Sequence, residues 1–473
     1  MAIEITVPRL GWSMEEAIFS SWLKAHGEMI RAGDLLFAIE SDKATQDIES
    51  FDEGILHLPA STPQQGDTVL VGQGCGEPCV LTRALVAQRA LLGGVKVLLC
   101  TVVSDTFQPE HSDHLAFLAI GVTSGTRALS TAGGLDVLPV HYGGIEQLLR
   151  DGDMACDVVM VQVAPPDAQG RYSLGATHDY LAAAIPRARV VIAEVNLRAP
   201  ATLGETTFSR DDFTCVVETD SALVASPAAR ASPTDDRIGA LVAGLVPDGA
   251  TLQLGIGGIP EAVLSRLADR RGLGFHSGMM SDSVCDLMES GAIDNAHKGV
   301  DVGRSVTGVL LGTERLFRFA HHNPAVFMRG PGYTHAAGTL ARVRRLFSIN
   351  SAIEVDLSGQ VNSEAMGGRY VGAIGGQVDF VRGARLSEGG RSVIALPSTH
   401  GKTRQSRIVA RLNGPVTTPR SDVDTVVTEW GAAHLRGRSL RERMQAMIAI
   451  ADPQHREALE RGLHDLRPEL KGA

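Results

Sequence analysis

The chain has 473 residues, a formal net charge of −10 and 44% apolar residues. At about 150 residues per domain, this length implies about three domains, and the acidic balance argues against a nucleic-acid partner, because phosphate contacts want a basic face. No apolar run reaches the ~18 residues of a membrane span, and MAIEITVPRL has no basic segment followed by an apolar one, so a cytoplasmic protein without membrane contact is expected.

Residues 1–66 read as a small all-β module. Short alternating runs (IEITVPRL, EAIFSSWLKA, DLLFAIES, TQDIES, GILHLPA) are punctuated by Gly, Asp and Pro. The polar stretch Glu40-Ser41-Asp42-Lys43-Ala44 suits an exposed hairpin tip carrying Lys43.

From Gly66 the pattern changes. Strand-like runs (VKVLLCTVV, VVMVQVAP, VVIAEVN, TLQLGIG, VIALP, TVVTEWG) alternate with helical ones (VLTRALVAQRALLGG, DYLAAAIPRA, IPEAVLSRLADRRG, DSVCDLMESG). Continuous Val/Ile/Leu strands between amphipathic helices predict an α/β fold with sheets covered on both faces. The stretch ASPAARASPTDD (225–236) reads as a linker dividing two lobes, 67–230 and 231–473. The tail SLRERMQAMIAIADPQHREALERGLHDL reads as helical.

Six cysteines (Cys75, Cys79, Cys100, Cys156, Cys215, Cys285) are too sparse for a disulfide scaffold and are expected as reduced, buried thiols. The Cys75/Cys79 pair has no second pair at zinc spacing, so no metal site is expected.

Two glycine loops stand out. In TLQLGIGGIP the strand is expected to end at Leu254, with Gly255, Gly257 and Gly258 turning the backbone and a helix opening at Pro260. That helix start favours an anionic or carbonyl-bearing group. Pro260 stands where a dinucleotide fingerprint needs glycine. The second loop runs Gly372-Ala373-Ile374-Gly375-Gly376-Gln377. Arg382 and Arg420 are phosphate or carboxylate candidates by charge alone, with structural ion pairs as the alternative.

Residues 1–65 resemble a lipoyl domain of the 2-oxo-acid dehydrogenase type, through ESDKA (40–44) and GEMIRAGDLL. Asp42 and Ala44 beside Lys43 favour lipoate over biotin, so the resemblance implies covalent lipoate on Lys43. The candidate closing strand, GDTVLVGQ (66–73), also reads as the opening strand of the next domain, and one strand cannot close both sheets.

Residues 66–462 resemble the acetyl-CoA hydrolase/CoA-transferase family, which includes acetate and 4-hydroxybutyrate CoA-transferases. The motifs are GIGGIPEAV (255–263), FHSGMMSD (275–282), NSAIEVDLSGQVNSE (350–364), YVGAIGGQVDFVRGA (370–384) and VTTPRSDVDTVVTEWGAAHLRGRSLRER (416–443). The resemblance implies two open α/β domains facing across a cleft, a homodimer, and an acyl-CoA and a small carboxylate as substrates. It assigns CoA binding to Gly255, Ile256, Gly257, Gly258, Ile259, Gly375 and Gly376, with the second loop offering N–H donors to an oxyanion.

One position departs from the family. Its glutamate nucleophile attacks the acyl-CoA carbonyl to give an anhydride and then a glutamyl-CoA thioester. That residue sits in a His-Ser-Glu-Met motif, where this chain has His276-Ser277-Gly278-Met279. The nucleophile position is therefore Gly278. Substitute carboxylates are Glu77, at the edge of the first sheet, then Glu354, Glu364 and Asp282, while His276 is a candidate base for direct attack by water. The expected function is CoA transfer between an acyl-CoA and a small acid, or hydrolysis of the thioester. The alternative is a non-catalytic acyl-CoA-binding or carrier protein with a lipoyl-type docking module. A third idea, acyl exchange between a lipoyl thioester and CoA, lacks an HxxxDG-like motif.

Overall fold

In the computed structural model, which describes residues 5, 18–24, 27–41, 44–56, 66–401 and 403–470, the apolar run at 68–71 forms the strand on which the first lobe is built. Thr68–Val71 is the middle strand of a seven-stranded sheet that is parallel throughout. On one side the chain adds Lys96–Leu99, Ala116–Ala119 and Leu135–Val137. It then returns to the other side with Val158–Val163, Val190–Asn196 and Cys215–Thr219. The reversal beside Thr68–Val71 is a topological switch point, where an open sheet leaves a crevice at its carboxyl edge.

This strand settles the competition seen in the sequence. Thr68–Val71 pairs with Lys96–Leu99 and Val158–Val163, so GDTVLVGQ belongs to the α/β lobe and does not close the N-terminal module. The module itself pairs Ile18–Trp22, Leu35–Ser41 and Ala44–Glu49 antiparallel, and Met29–Ile30 with Gly54–Ile55. Ile30, Leu36, Phe37, Ile39, Ile48 and Leu56 form its core. Lys43 lies outside the described residues.

The second lobe carries a six-stranded sheet in the order Gly274–Phe275, Thr251–Leu254, Leu346–Ser351, Arg391–Ala395, Thr425–Thr428, Gly431–His434. Only the last pairing is antiparallel. The tail forms the helices Leu440–Ala449 and Pro453–Leu470.

Four expectations shift. The linker is shorter than 225–236, because a helix, Pro233–Leu245, begins inside it. Ser232 caps that helix by accepting from Asp235 N–H at 3.2 Å, and the Asp235 carboxylate accepts from Ser232 N–H at 2.9 Å, a reciprocal capping box. The lobes also share a sheet: Leu203–Gly204 from the first pairs with Val326–Met328 of the second. DYLAAAIPRA yields only one α turn, Leu181–Ala184, because Pro186 removes a backbone donor. All six cysteines are free thiols, three buried and two half-buried, while Cys215 is exposed, contrary to expectation.

The cap gives a stability test. Ser232→Ala is expected to cost about 1 kcal/mol in chemical unfolding, the usual loss for a capping hydroxyl. Ser232→Asp, which keeps an acceptor, should unfold close to wild type.

Candidate active site

The two lobes meet along the second glycine loop. Val122 N–H donates to Gly372 O at 2.8 Å, Tyr142 N–H to Gly375 O at 3.0 Å, and Gly143 N–H to Asp379 Oδ2 at 3.0 Å. Approach is so close at Gly121 that a Cβ there would lie 2.3 Å from Ala373 Cβ. Beside this seam lies a cavity of ≈ 200 Å³, lined by Gln73, Thr101 and Tyr142 from the first lobe and Ile256, Gly278 and Gly376 from the second.

The switch point supplies the polar floor of the cavity. Just past Val71, the Gln73 amide reaches the Tyr142 hydroxyl and the Asp179 carboxylate, and the Tyr142 hydroxyl donates to that same carboxylate oxygen. Thr101 N–H donates to Gln73 Oε1 at 3.0 Å, and Thr177 Oγ1–H to Gln73 O at 2.7 Å. Asp179 has a left-handed backbone (φ 40°) and is buried. Burial pushes its carboxyl up to about 7 and the Tyr142 phenol well above its ordinary value. A protonated Asp179 therefore costs little near neutrality, and the trio forms a rigid hydrogen-bonded wall.

Of the expected residues, Gly278, Ile256, Gly375 and Gly376 all line this cavity. Gly257 takes φ 124° to start the helix Gly258–Leu264, two residues earlier than Pro260. Ile259 is buried behind it. Gly258 is packed so closely that a Cβ would lie 2.8 Å from Asp235 Oδ2.

The substitute carboxylates are spent elsewhere. Glu77 is buried and accepts from the N–H groups of Val103 and Ser104, so it braces the loop after Lys96–Leu99. Desolvation raises its pKa. Glu354 accepts from Asn362 and Asn413, Glu364 from Tyr370 and Thr417, and Asp282 from Thr313. His276 is wholly buried, with Nε2 against Thr334 O at 3.1 Å, and desolvation lowers its pKa well below the usual value. Arg382 pairs with Asp422 at 2.8 Å, and Arg420 is exposed. None of these seven lines the cavity. Among the described residues no cluster of His, Cys, Asp or Glu is placed to hold a metal, and no helix is long and apolar enough to cross a membrane.

His335 went unnoticed in the sequence and sits in the cavity wall. Its ring lies against the backbones of Gly278 and Gly376: an added Cβ would come within 2.9 Å of Cε1 at the first and 2.4 Å of Nε2 at the second. Two glycines in separate motifs that converge on one point were the available signal.

The fold defines a two-lobed α/β protein with a cavity walled by glycine loops at the lobe interface. The chain belongs to the acetyl-CoA hydrolase/transferase family. The family's N-terminal domain matches residues 57–226 and its C-terminal domain residues 312–463. A biotin/lipoyl model, described as biotin-requiring enzyme, matches residues 3–74. The 4-hydroxybutyrate coenzyme A transferase of Clostridium kluyveri is 39% identical over 395 residues, 83% of this chain and 92% of that one. The acetyl-CoA hydrolase of Eremothecium gossypii is 31% identical over 228 residues, 47% of this chain and 41% of that one. The crystal structure of RipA from Yersinia pestis superposes with a TM-score of 0.82 at 34% identity, covering 86% of this chain and 96% of that one.

Asp179 gives the site a pH signature. With its carboxyl raised from 3.8 to about 7, its stabilising contribution is complete below 3.8 and is lost as pH rises through about 7. Asp179→Asn keeps an acceptor oxygen and removes that loss. Between those limits its stability relative to wild type should climb with pH, by up to about 1.4 kcal/mol per pH unit, in denaturant titrations at stepped pH. A pH-independent difference would refute the assignment.

Proposed function

We propose that this protein cleaves acyl-CoA thioesters in the interlobe cleft by direct attack of the acyl acceptor, a small carboxylate or water, without an acyl-enzyme at residue 278. The observation that carries this reading is the bare backbone of Gly278 in the cavity wall, together with the commitment of Glu77, Glu354, Glu364 and Asp282 to structural hydrogen bonds. The acceptor oxygen bonds to the carbonyl carbon, the C–S bond breaks, and CoA leaves as thiolate. With water the products are a free acid and CoA. With a carboxylate, a mixed anhydride forms between the two substrates, and the CoA thiolate then attacks the other carbonyl. The glycine loops at 255–259 and 375–376 hold the thioester in this reading, and the N–H of Gly376, which has no acceptor among the described residues, faces the developing oxyanion.

Family resemblance and the ESDKA turn support lipoate on Lys43, which intact mass of protein made with lipoate in the medium tests directly. The same resemblance supports a homodimer, and the free thiols and CoA substrate support a cytoplasmic location.

Initial rates with acetyl-CoA and a second acid varied together test the mechanism. Where a carboxylate is the acceptor, direct attack requires both substrates bound at once and gives converging double-reciprocal lines; where water is the acceptor, the rate does not depend on the acid. Parallel lines would mean a covalent intermediate and would sink the reading.

A further inference from the structure

His335 follows the helical turn Pro331–Thr334 and is held between aromatic faces, with ring centroids 4.5 Å from Phe380 and 5.1 Å from Tyr142. A Cβ at Gly278 would lie 2.9 Å from Cε1 and 3.2 Å from Nε2. The imidazole thus stands in the space that a side chain at 278 would need to enter the cleft.

The Thr334 hydroxyl oxygen lies 2.8 Å from His335 Nδ1 and 3.2 Å from Gly330 O. We assign its hydrogen to Gly330 O, so that its oxygen accepts from Nδ1–H. Nε2 is left with a lone pair on the cavity wall, and it has no partner among the described residues. Burial pushes the imidazole down to about 3, so the lone pair persists across the ordinary pH range.

A lone pair discriminates between acceptors. Water has a hydrogen to give it, whereas a carboxylate presents only lone pairs of its own. We propose that His335 Nε2 seats and deprotonates a water molecule against the bound thioester, so that this chain hydrolyses acyl-CoA instead of passing CoA to a carboxylate. The inference rests on the reading that the cleft cleaves acyl-CoA by direct attack. In the step, the water oxygen bonds to the carbonyl carbon while its proton passes to Nε2. The C–S bond then breaks, and the CoA thiolate takes the proton back from the imidazolium. Water and thioester become acid and thiol.

The test uses the full-length enzyme and acetyl-CoA, following thiol release with and without acetate, and exchange of CoA into labelled acetate. Wild type is expected to release thiol at a rate independent of acetate. His335→Gln should lose about 10²–10⁴-fold of that rate, the usual contribution of a general base, with acetyl-CoA affinity by calorimetry nearly unchanged. In His335→Ala, added imidazole should restore part of the rate, which a purely structural role would not allow. Gly278→Ala, which keeps the histidine but puts a methyl 2.9 Å from Cε1 so that the ring must shift, should also slow release. If His335→Ala fails to fold, that variant and His335→Gln decide the question. Gly278→Glu alone is expected to gain no exchange, because the ring blocks it, whereas Gly278→Glu with His335→Ala should gain exchange. Undiminished thiol release in His335→Gln would overturn the proposal. So would thiol release by wild type only when acetate is present, although direct attack would then still stand. No binding or turnover of acetyl-, propionyl- or succinyl-CoA would bring down the underlying reading as well.

Discussion

The site depends on backbone that carries no Cβ. Gly121, Gly278 and Gly376 lie where the lobes and the His335 ring approach more closely than any side chain permits. At Gly121 the missing methyl lets the first lobe touch Ala373, which brings the glycine loop of the second lobe over the switch point of the first. At Gly278 and Gly376 it admits an imidazole. An alanine at any of the three would force buried, sandwiched groups apart, and a packed interior has little room to yield.

That constraint joins the chemistry to the fold. The return of the chain past Thr68–Val71 creates the crevice, Gln73 leaves that strand to enter it, and Tyr142 lines it while bonded to the buried Asp179. The second lobe contributes little beyond backbone and His335 to the cavity's polar surface. In the proposed reading, the glycine at 278 leaves no side chain there to store an acyl residue, and the cleft acts by holding the thioester and its attacker together. The N-terminal module is separate in this respect: its core is its own, and the strand that might have closed it belongs to the enzyme body.

The sequence disclosed the architecture where burial is continuous. Val158–Val163 and Val190–Asn196 are mostly apolar because both faces of the sheet are covered, and both were legible. Ala116–Ala119 and Cys215–Thr219 were not, because they are short and partly exposed at or near the sheet edge. The glycine motifs were legible, since turns and close approach demand glycine. The polar trio was not: Gln73 and Asp179 lie 106 residues apart, and only the parallel topology joins them. Glu77 follows the strand Thr68–Val71, but no local pattern shows that its carboxylate turns to the amides of Val103 and Ser104. His335 shows itself only through the volume left free at Gly278 and Gly376, which no local pattern around residue 335 announces.

The most direct test of direct attack is the mass of the enzyme during turnover. Protein mixed with excess acetyl-CoA and quenched in acid within the first turnovers should keep its unmodified mass while free thiol accumulates. A population heavier by one acetyl or one CoA, mapped to a carboxylate side chain, would contradict the account.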